Sequence, residues 1–445
     1  VVIAVAKILR ALAYQFAKKS KPLSLRRNFS WTFLSNAVYG ICQWGILVAI
    51  AKLGTPEMVG RFTLGIAVIT PIVLFANLQL RTVQVTDIKQ QYDFSDYLIL
   101  RLISSVLGML AIIGIIFIGG YKRETSTVIL FMGIAKTIES ISDVFYGLQQ
   151  QHERMDKIAQ STIIRNLLSL IIFLFSLYFS QNLIYSTACL IFTAAFTLLS
   201  YDIPNTIYLL KNSSNNFVGI HGDLFSTQYL SRKCKVLINL IWVSLPAGLA
   251  MVAINLVQNI PRYFIEYYLG ERELGIFSGI AYLPLIGYMF IVALGQSALS
   301  PLSKYYNSGN IIAFKKLITK LVFLASSLGL IGIIISTSFG KQILTIMYQA
   351  EYAQQTSVFN SLMIWGGISY ISSFLGYAAG AVRYFRARFI SSTVILVLTI
   401  IGSLLLIPSY GLQGAAFVLI FNVTIELIIT YLIIFHAISK FEYGH

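Results

Sequence analysis

Within one long apolar run, residues 126–148, stand three ionisable side chains, Lys136, Glu139 and Asp143, with Ser140 between them. Spacings of i, i+3 and i+7 place them on one face of a helix, about a turn apart. An ionisable group at hydrocarbon depth is costly and therefore faces a cavity or a partner. Two chemistries fit this face. In the first it is a polar lumen wall, where Lys136 meets an anionic group and Glu139 or Asp143 carries a coupling proton or Na⁺. In the second the set neutralises itself and locks the helix to its neighbours. Two acids against one base leave charge to account for, which favours the lumen.

A second polar stripe comprises Asn255, Gln258, Asn259 and Arg262, again at i, i+3, i+4 and i+7. These side chains either line the same kind of lumen or act as interhelical hydrogen-bond glue, and Arg262 lies near enough to a run end to snorkel. Asn36 and Gln43 sit seven apart in the run 29–51 and can share a face. Arg61 and Arg81 flank the run 62–80, and Arg165 lies near the start of another. Interface anchoring is the plainer reading of all three, with Arg61 and Arg81 retained as basic candidates for an anion. Glu426 is a lone acid in the last run, either a coupling-ion site or a hydrogen-bonded helix contact. The chain shows no GxxxxGK[ST] loop, HExxH or paired CxxC. No nucleotide site, metal centre or catalytic residue is therefore expected, and no cofactor beyond a coupling H⁺ or Na⁺.

The elements that must position these groups follow from composition. Of the 445 residues 57% are apolar and 11% charged, with a mean hydropathy of +0.77. Soluble domains carry roughly a quarter charged residues. Apolar runs long enough to cross a bilayer fall at about 29–51, 62–80, 97–119, 126–148, 160–180, 183–203, 236–260, 274–299, 317–339, 357–380, 388–407 and 413–436. The expected fold is an all-α polytopic membrane protein with about 12 transmembrane helices.

Charge fixes the expected orientation. Most of the 33 Lys and Arg gather on one side of the alternating runs, in clusters such as Arg232, Lys233 and Lys235, or Lys304, Lys315, Lys316 and Lys320. The positive-inside rule then places both termini in the cytoplasm. The same rule accounts for the net charge of +16 without nucleic acid as a partner. Residues 1–28 mix apolar residues with seven Lys and Arg and read as a basic amphipathic cytoplasmic segment on an anionic surface, or as a basic tail. No cleavable signal peptide is expected. Cys42 and Cys189 lie inside apolar runs, which implies no disulfide framework.

There is an internal repeat. LGTPEMVGRFTLGIA at 53–67 and LGERELGIFSGIA at 269–281 match at Leu53, Gly54, Glu57, Gly60 and Phe62 against Leu269, Gly270, Glu273, Gly275 and Phe277, with one residue of slip. Each copy lies at the exit of the first run of a six-run half. Parallel halves are a common transporter plan, with the site between repeats. The expected divisions are 1–28, an N-lobe at 29–210, a cytoplasmic linker at 211–235, a C-lobe at 236–436 and a tail at 437–445. Pro71, Pro246, Pro261 and Pro284, in or beside the second, seventh and eighth runs, are expected to let those helices bend.

These segments carry a resemblance. LGTPEMVGRFTLGIAVITPIV with NLQLRTV resembles the first hairpin of bacterial polysaccharide flippases, as does DVFYGLQQQHERMDKIAQSTIIRNLLSLI for the fourth-to-fifth connection. SLPAGLAMVAINLVQNIPRYFIEYYLGERELGIFSG, ALSPLSKYYNSGN and YGLQGAAFVLI resemble the matching parts of the second half. The ordered set covers about residues 25–436 and is similar to the multidrug/oligosaccharidyl-lipid/polysaccharide (MOP) exporter superfamily. The resemblance implies a MATE-like, V-shaped fold of two six-helix lobes in the bacterial inner membrane. It implies a substrate too, an oligosaccharide repeat unit of O-antigen or exopolysaccharide on a polyprenyl pyrophosphate carrier. A cation gradient would drive the flipping, and a cationic lumen would receive the pyrophosphate. A polymerase and glycosyltransferases of the same pathway are the partners it suggests, with membrane lipids around a monomer. One departure is that the first run holds no Arg or Lys at depth; the basic candidates are Lys136, Arg262, Arg61 and Arg81.

Two other readings stay open. A cation-coupled multidrug exporter of the same fold would want acids in an aromatic lumen, and Glu139, Asp143 and 26 Tyr with 30 Phe keep it in view. An integral-membrane polymerase or glycosyltransferase would need a large outer loop, whereas the longest loop here is on the cytoplasmic side.

Overall fold

The computed structural model describes residues 25–87, 91–152, 154–212, 227–382 and 385–442. The basic segment expected at 1–28 lies almost wholly outside the described residues, as does most of the linker expected at 211–235 and the end of the tail expected at 437–445. Among the described residues the regular structure is helical, without strands.

The first half contains α1 (Leu25–Leu53), α2 (Pro56–Asn77), a short α3 (Leu80–Thr86), α4 (Phe94–Ile118), α5 (Arg123–Gln151), α6 (Met155–Ser180), α7 (Leu183–Thr197) and α8 (Ile203–Asn212). A π-helical turn at Leu198–Asp202 joins α7 to α8. The second half contains α9 (Thr227–Leu269), α10 (Glu271–Ala281), α11 (Leu283–Asn307), α12 (Ile311–Met347), a single turn α13 (Ala350–Ala353), α14 (Thr356–Ala381) and α15 (Phe385–Glu442).

Each apolar run becomes a helix because a backbone in hydrocarbon must satisfy its own hydrogen bonds. Polar side chains mark the starts. Asp93 and Asp96 form a reciprocal capping box at α4, and Asn182 accepts a 2.9 Å bond from the Ile184 N–H at α7, each meeting a donor that the first turn leaves unpaired. The last two expected spans run together as α15, but Gly411 at φ 58°, ψ −136° interrupts the helix. That backbone conformation is open essentially to glycine alone.

Among the described residues, eight helical stretches are long and apolar enough to cross a membrane, or nine when the bent pair Glu271–Ala281 and Leu283–Val292 counts as one. Helix α5 falls outside that set, in keeping with the ionisable groups it carries. One of the eight, Ser391–Ser439, contains the Gly411 break and is long enough for two crossings. The protein is a multi-pass α-helical membrane protein. Its helices leave Phe117, Ile118, Phe175, Trp242, Ile312 and Phe435 exposed, which water does not tolerate in such density and lipid does. Of the expected bends, the 41° break falls beside Pro284, at the junction of α10 and α11; the ring sits in the first turn of α11, where its missing N–H leaves no bond broken.

The chain divides into two compact units, residues 1–49 with 65–252 and residues 50–64 with 253–445. In the first, Leu78, Leu80, Tyr97, Leu100, Val144 and Leu240 form a buried cluster that fixes α4 and α5 around α3. In the second, α14 is the hub and packs on α11, α12 and α15. Leu302, Phe314, Ala378 and Ala437 build one cluster there, and Ile291, Ala325, Tyr370 and Phe374 another.

The two copies of the repeated motif pack on each other inside the second unit. Gly60 and Gly275 are each the fifth residue of their helices, α2 and α10. A Cβ on Gly60 would sit 1.7 Å from the Glu271 carbonyl oxygen, and one on Gly275 would sit 1.9 Å from that of Pro56. The contact is reciprocal, because Pro56 and Glu271 are themselves the first residues of the same two helices. Around it Arg61 pairs with Glu271 at 3.0 Å, and Arg272 reaches Glu57 at 3.4 Å and Glu351 at 2.9 Å.

Candidate functional site

The first unit holds a cavity of about 820 Å³ lined by the charged face of α5. Lys136 Nζ donates to Glu139 Oε2 at 2.7 Å, and the Arg165 guanidinium of α6 stands 4.0 Å from the other Glu139 oxygen. One turn on, Asp143 receives two guanidinium groups, Arg81 of α3 at 3.3 Å and Arg101 of α4 at 3.1 Å. Arg81 also donates to Gln150 at 2.9 Å and stacks over the Tyr146 ring, 5.8 Å from its centroid. Arg101 is fully buried and donates its other arm to Asn77.

Four bases thus surround two carboxylates. In a medium of low polarity that excess draws an anion, and guanidinium groups match phosphate oxygens in planar pairs. Asn36, Tyr39 and Asn77 line the same cavity and supply neutral hydrogen-bonding groups.

The second unit has its own cavity of about 440 Å³, lined by Gln258, Arg262, Tyr288, Trp365, Asn422 and Glu426 among others. Asn259 donates to the Asn255 side chain at 2.8 Å, and Arg262 donates to Asn259 Oδ1 at 2.9 Å. The polar stripe of α9 is therefore a relay that aims one guanidinium at the cavity. Among the described residues no carboxylate stands within ion-pair distance of Arg262.

The sequence candidates accordingly separate. Lys136, Glu139, Asp143, Arg81 and Asn36 converge on the first cavity, and Gln258, Arg262 and Glu426 on the second. Asn255 and Asn259 stand behind Arg262. Gln43 lines neither cavity, and Arg61 is engaged by Glu271 at the motif contact. Arg165, read as an anchor, lines the first cavity. Arg101 was missed altogether. The signal was present, since Tyr97, Arg101, Ser104, Ser105 and Gly108 recur at helical spacing and all are buried.

A family model described as polysaccharide biosynthesis protein matches residues 25–306. The chain belongs to that family. It is 30% identical over 412 residues to the capsular polysaccharide biosynthesis protein CapF of Staphylococcus aureus, covering 91% of this chain and 98% of that one. Among solved structures it resembles an inward-facing multidrug resistance MATE family transporter of the MOP superfamily, at a TM-score of 0.67 and 15% identity over 91% of this chain and 95% of that one. It is similar also to the lipid II flippase MurJ in an inward closed conformation, at 0.67 and 15% over 93% and 90%. These likenesses give this member of the polysaccharide biosynthesis family a MATE-like fold.

Proposed function

We propose that this protein flips a polyprenyl-pyrophosphate-linked oligosaccharide across the membrane. The carrying observation is the first cavity, where Lys136, Arg165 and Arg81 stand against Glu139 and Asp143, with Arg101 enclosed behind Asp143. A pyrophosphate brings more than one negative charge and many acceptor oxygens, which balances that excess, while the polyprenyl tail stays in lipid. The family and the CapF likeness support a substrate of polysaccharide assembly, and the likeness to transporters supports a transport step rather than an enzymatic one.

The proposal extends to an inner-membrane location with both termini cytoplasmic, alternating access, cation-gradient coupling and a monomer that works beside a polymerase and glycosyltransferases. A multidrug exporter of organic cations would need the opposite sign in the cavity.

The test is reconstitution in liposomes with the undecaprenyl-pyrophosphate-linked repeat unit extracted from bacterial membranes. Protein-dependent exposure of the glycan on the far leaflet is expected, with loss in Lys136→Ala at unchanged membrane insertion. Exposure no faster than in empty liposomes, together with efflux of an organic cation dye, would overturn the reading.

A further inference from the structure

The first unit contains another buried carboxylate, one that makes no ion pair with the cation cluster. Asp202 is fully buried and closes the π-helical turn Leu198–Asp202. Such turns widen a helix by one residue, redirect its side chains and occur frequently at functional sites. The groups that hold the Asp202 carboxyl are hydroxyls. Ser161 of α6 donates to Oδ1 at 2.5 Å, and Tyr146 of α5 donates to Oδ2 at 3.4 Å while sharing a 2.8 Å bond with Ser161.

The surrounding charges make the contrast. From α5 the neighbourhood contains Tyr146 and Glu139, from α6 Arg165, and from its own turn Tyr201. Arg154 and Asp156, which pair with each other at 2.9 Å, face Tyr201 from the foot of α6. Arg165 is turned toward Glu139 at 4.0 Å, and among the described residues no basic nitrogen comes within ion-pair distance of Asp202. Glu139 and Asp143, by comparison, each face two cations.

We infer that Asp202 is a reversible proton-binding site, served from the first cavity through the hydroxyls of Tyr146 and Ser161. Tyr146 lines that cavity, so its hydroxyl links cavity water to the buried carboxyl. The step is a simple transfer. A proton from cavity water reaches an Asp202 oxygen as each hydroxyl passes its own proton on and takes another, and the carboxylate becomes the neutral acid. A carboxylate sealed from water without a directly paired cation is costly, whereas its acid form keeps the hydroxyl contacts by exchanging donor and acceptor roles. A purely structural hydrogen-bonding role at this depth would be met as well by asparagine. The assignment does not depend on what the cavity carries.

The experiment is an infrared pH series on the full-length protein in nanodiscs, without substrate, following the carbonyl stretch of protonated carboxylic acids. A band that appears reversibly as pH falls is expected, lost in Asp202→Asn and kept in Glu139→Gln and Asp143→Asn. Tyr146→Phe and Ser161→Ala are expected to shift its frequency, because each removes a bonded hydroxyl, and they report on the site should Asp202→Asn fold poorly. The inference is overturned if neither hydroxyl variant shifts a titrating band, or if that band survives in folded Asp202→Asn.

Discussion

Arg101 and Asp143 meet at 3.1 Å, the guanidinium wholly enclosed and the carboxylate open on its other side to the cavity. The pair therefore ties a wholly enclosed residue to one that lines the cavity. Arg81 approaches the same carboxylate from the open side, at 3.3 Å.

That asymmetry separates the two arginines by experiment. Removing the enclosed partner strands Asn77 and one arm of Asp143, so Arg101→Leu is expected to destabilise the protein by about 3 kcal/mol, the scale of a broken buried pair. Arg81→Leu is expected to stay within about 1 kcal/mol, because its ion pair is partly solvated, yet to slow transport. Thermal unfolding in nanodiscs reads the first effect and liposome flipping the second. Equal stability of the two variants would refute the distinction. The double variant R101L/D143L should recover part of the loss, since neither charge is then left alone.

Glu139 shields Lys136 and Arg165. Glu139→Gln frees both cations, and inorganic pyrophosphate is expected to bind roughly tenfold tighter, a change of about 1.4 kcal/mol. Lys136→Ala is expected to weaken binding by a similar factor, and added salt to weaken it in every variant. Calorimetric titration with pyrophosphate checks the sign. Weaker binding in Glu139→Gln would mean that the carboxylate contributes to the ligand site rather than masking it.

In the second cavity the charge on Arg262 has an amide rather than a carboxylate beside it. Arg262→Lys is expected to retain flipping within a few-fold, and Arg262→Gln to lower it roughly tenfold, equivalent to about 1.4 kcal/mol. Indifference of the rate to both substitutions would reduce Arg262 to a helix-packing residue.

Gly60→Ala and Gly275→Ala each drive a methyl group into a carbonyl oxygen of the facing helix. Each is expected to cost about 1–3 kcal/mol, typical of overpacking. Thermal unfolding of the single variants measures this, and costs of similar size are expected because the two contacts mirror each other.

Much of this was legible in the sequence. Hydropathy located the helices because hydrocarbon enforces both length and apolarity, and the charged face of α5 stood out because such groups are scarce in a membrane. The partners of that face were hidden. Arg101 lies far from Asp143 in sequence and near the start of an apolar run, where an arginine usually reaches for water. Asp202 sits at a run end beside Tyr201, and only the π-helical turn shows that it faces inward. Arg61 looked like an anchor or a ligand contact; its engagement by Glu271 depends on two motifs meeting in space, which spacing along the chain does not disclose.

That meeting has an evolutionary consequence. By helix register, with Gly60 and Gly275 each fifth, Glu57 corresponds to Arg272 rather than to Glu273, its match in the sequence repeat, and the two face each other at 3.4 Å. In an ancestor made of two identical half-length chains, the residue at this place would have met its own copy across a symmetric contact, acid on acid or base on base. The solvent-exposed Glu57–Arg272 pair adds little to stability. In this protein the two equivalent positions hold opposite charges, so the contact attracts where identical halves would repel.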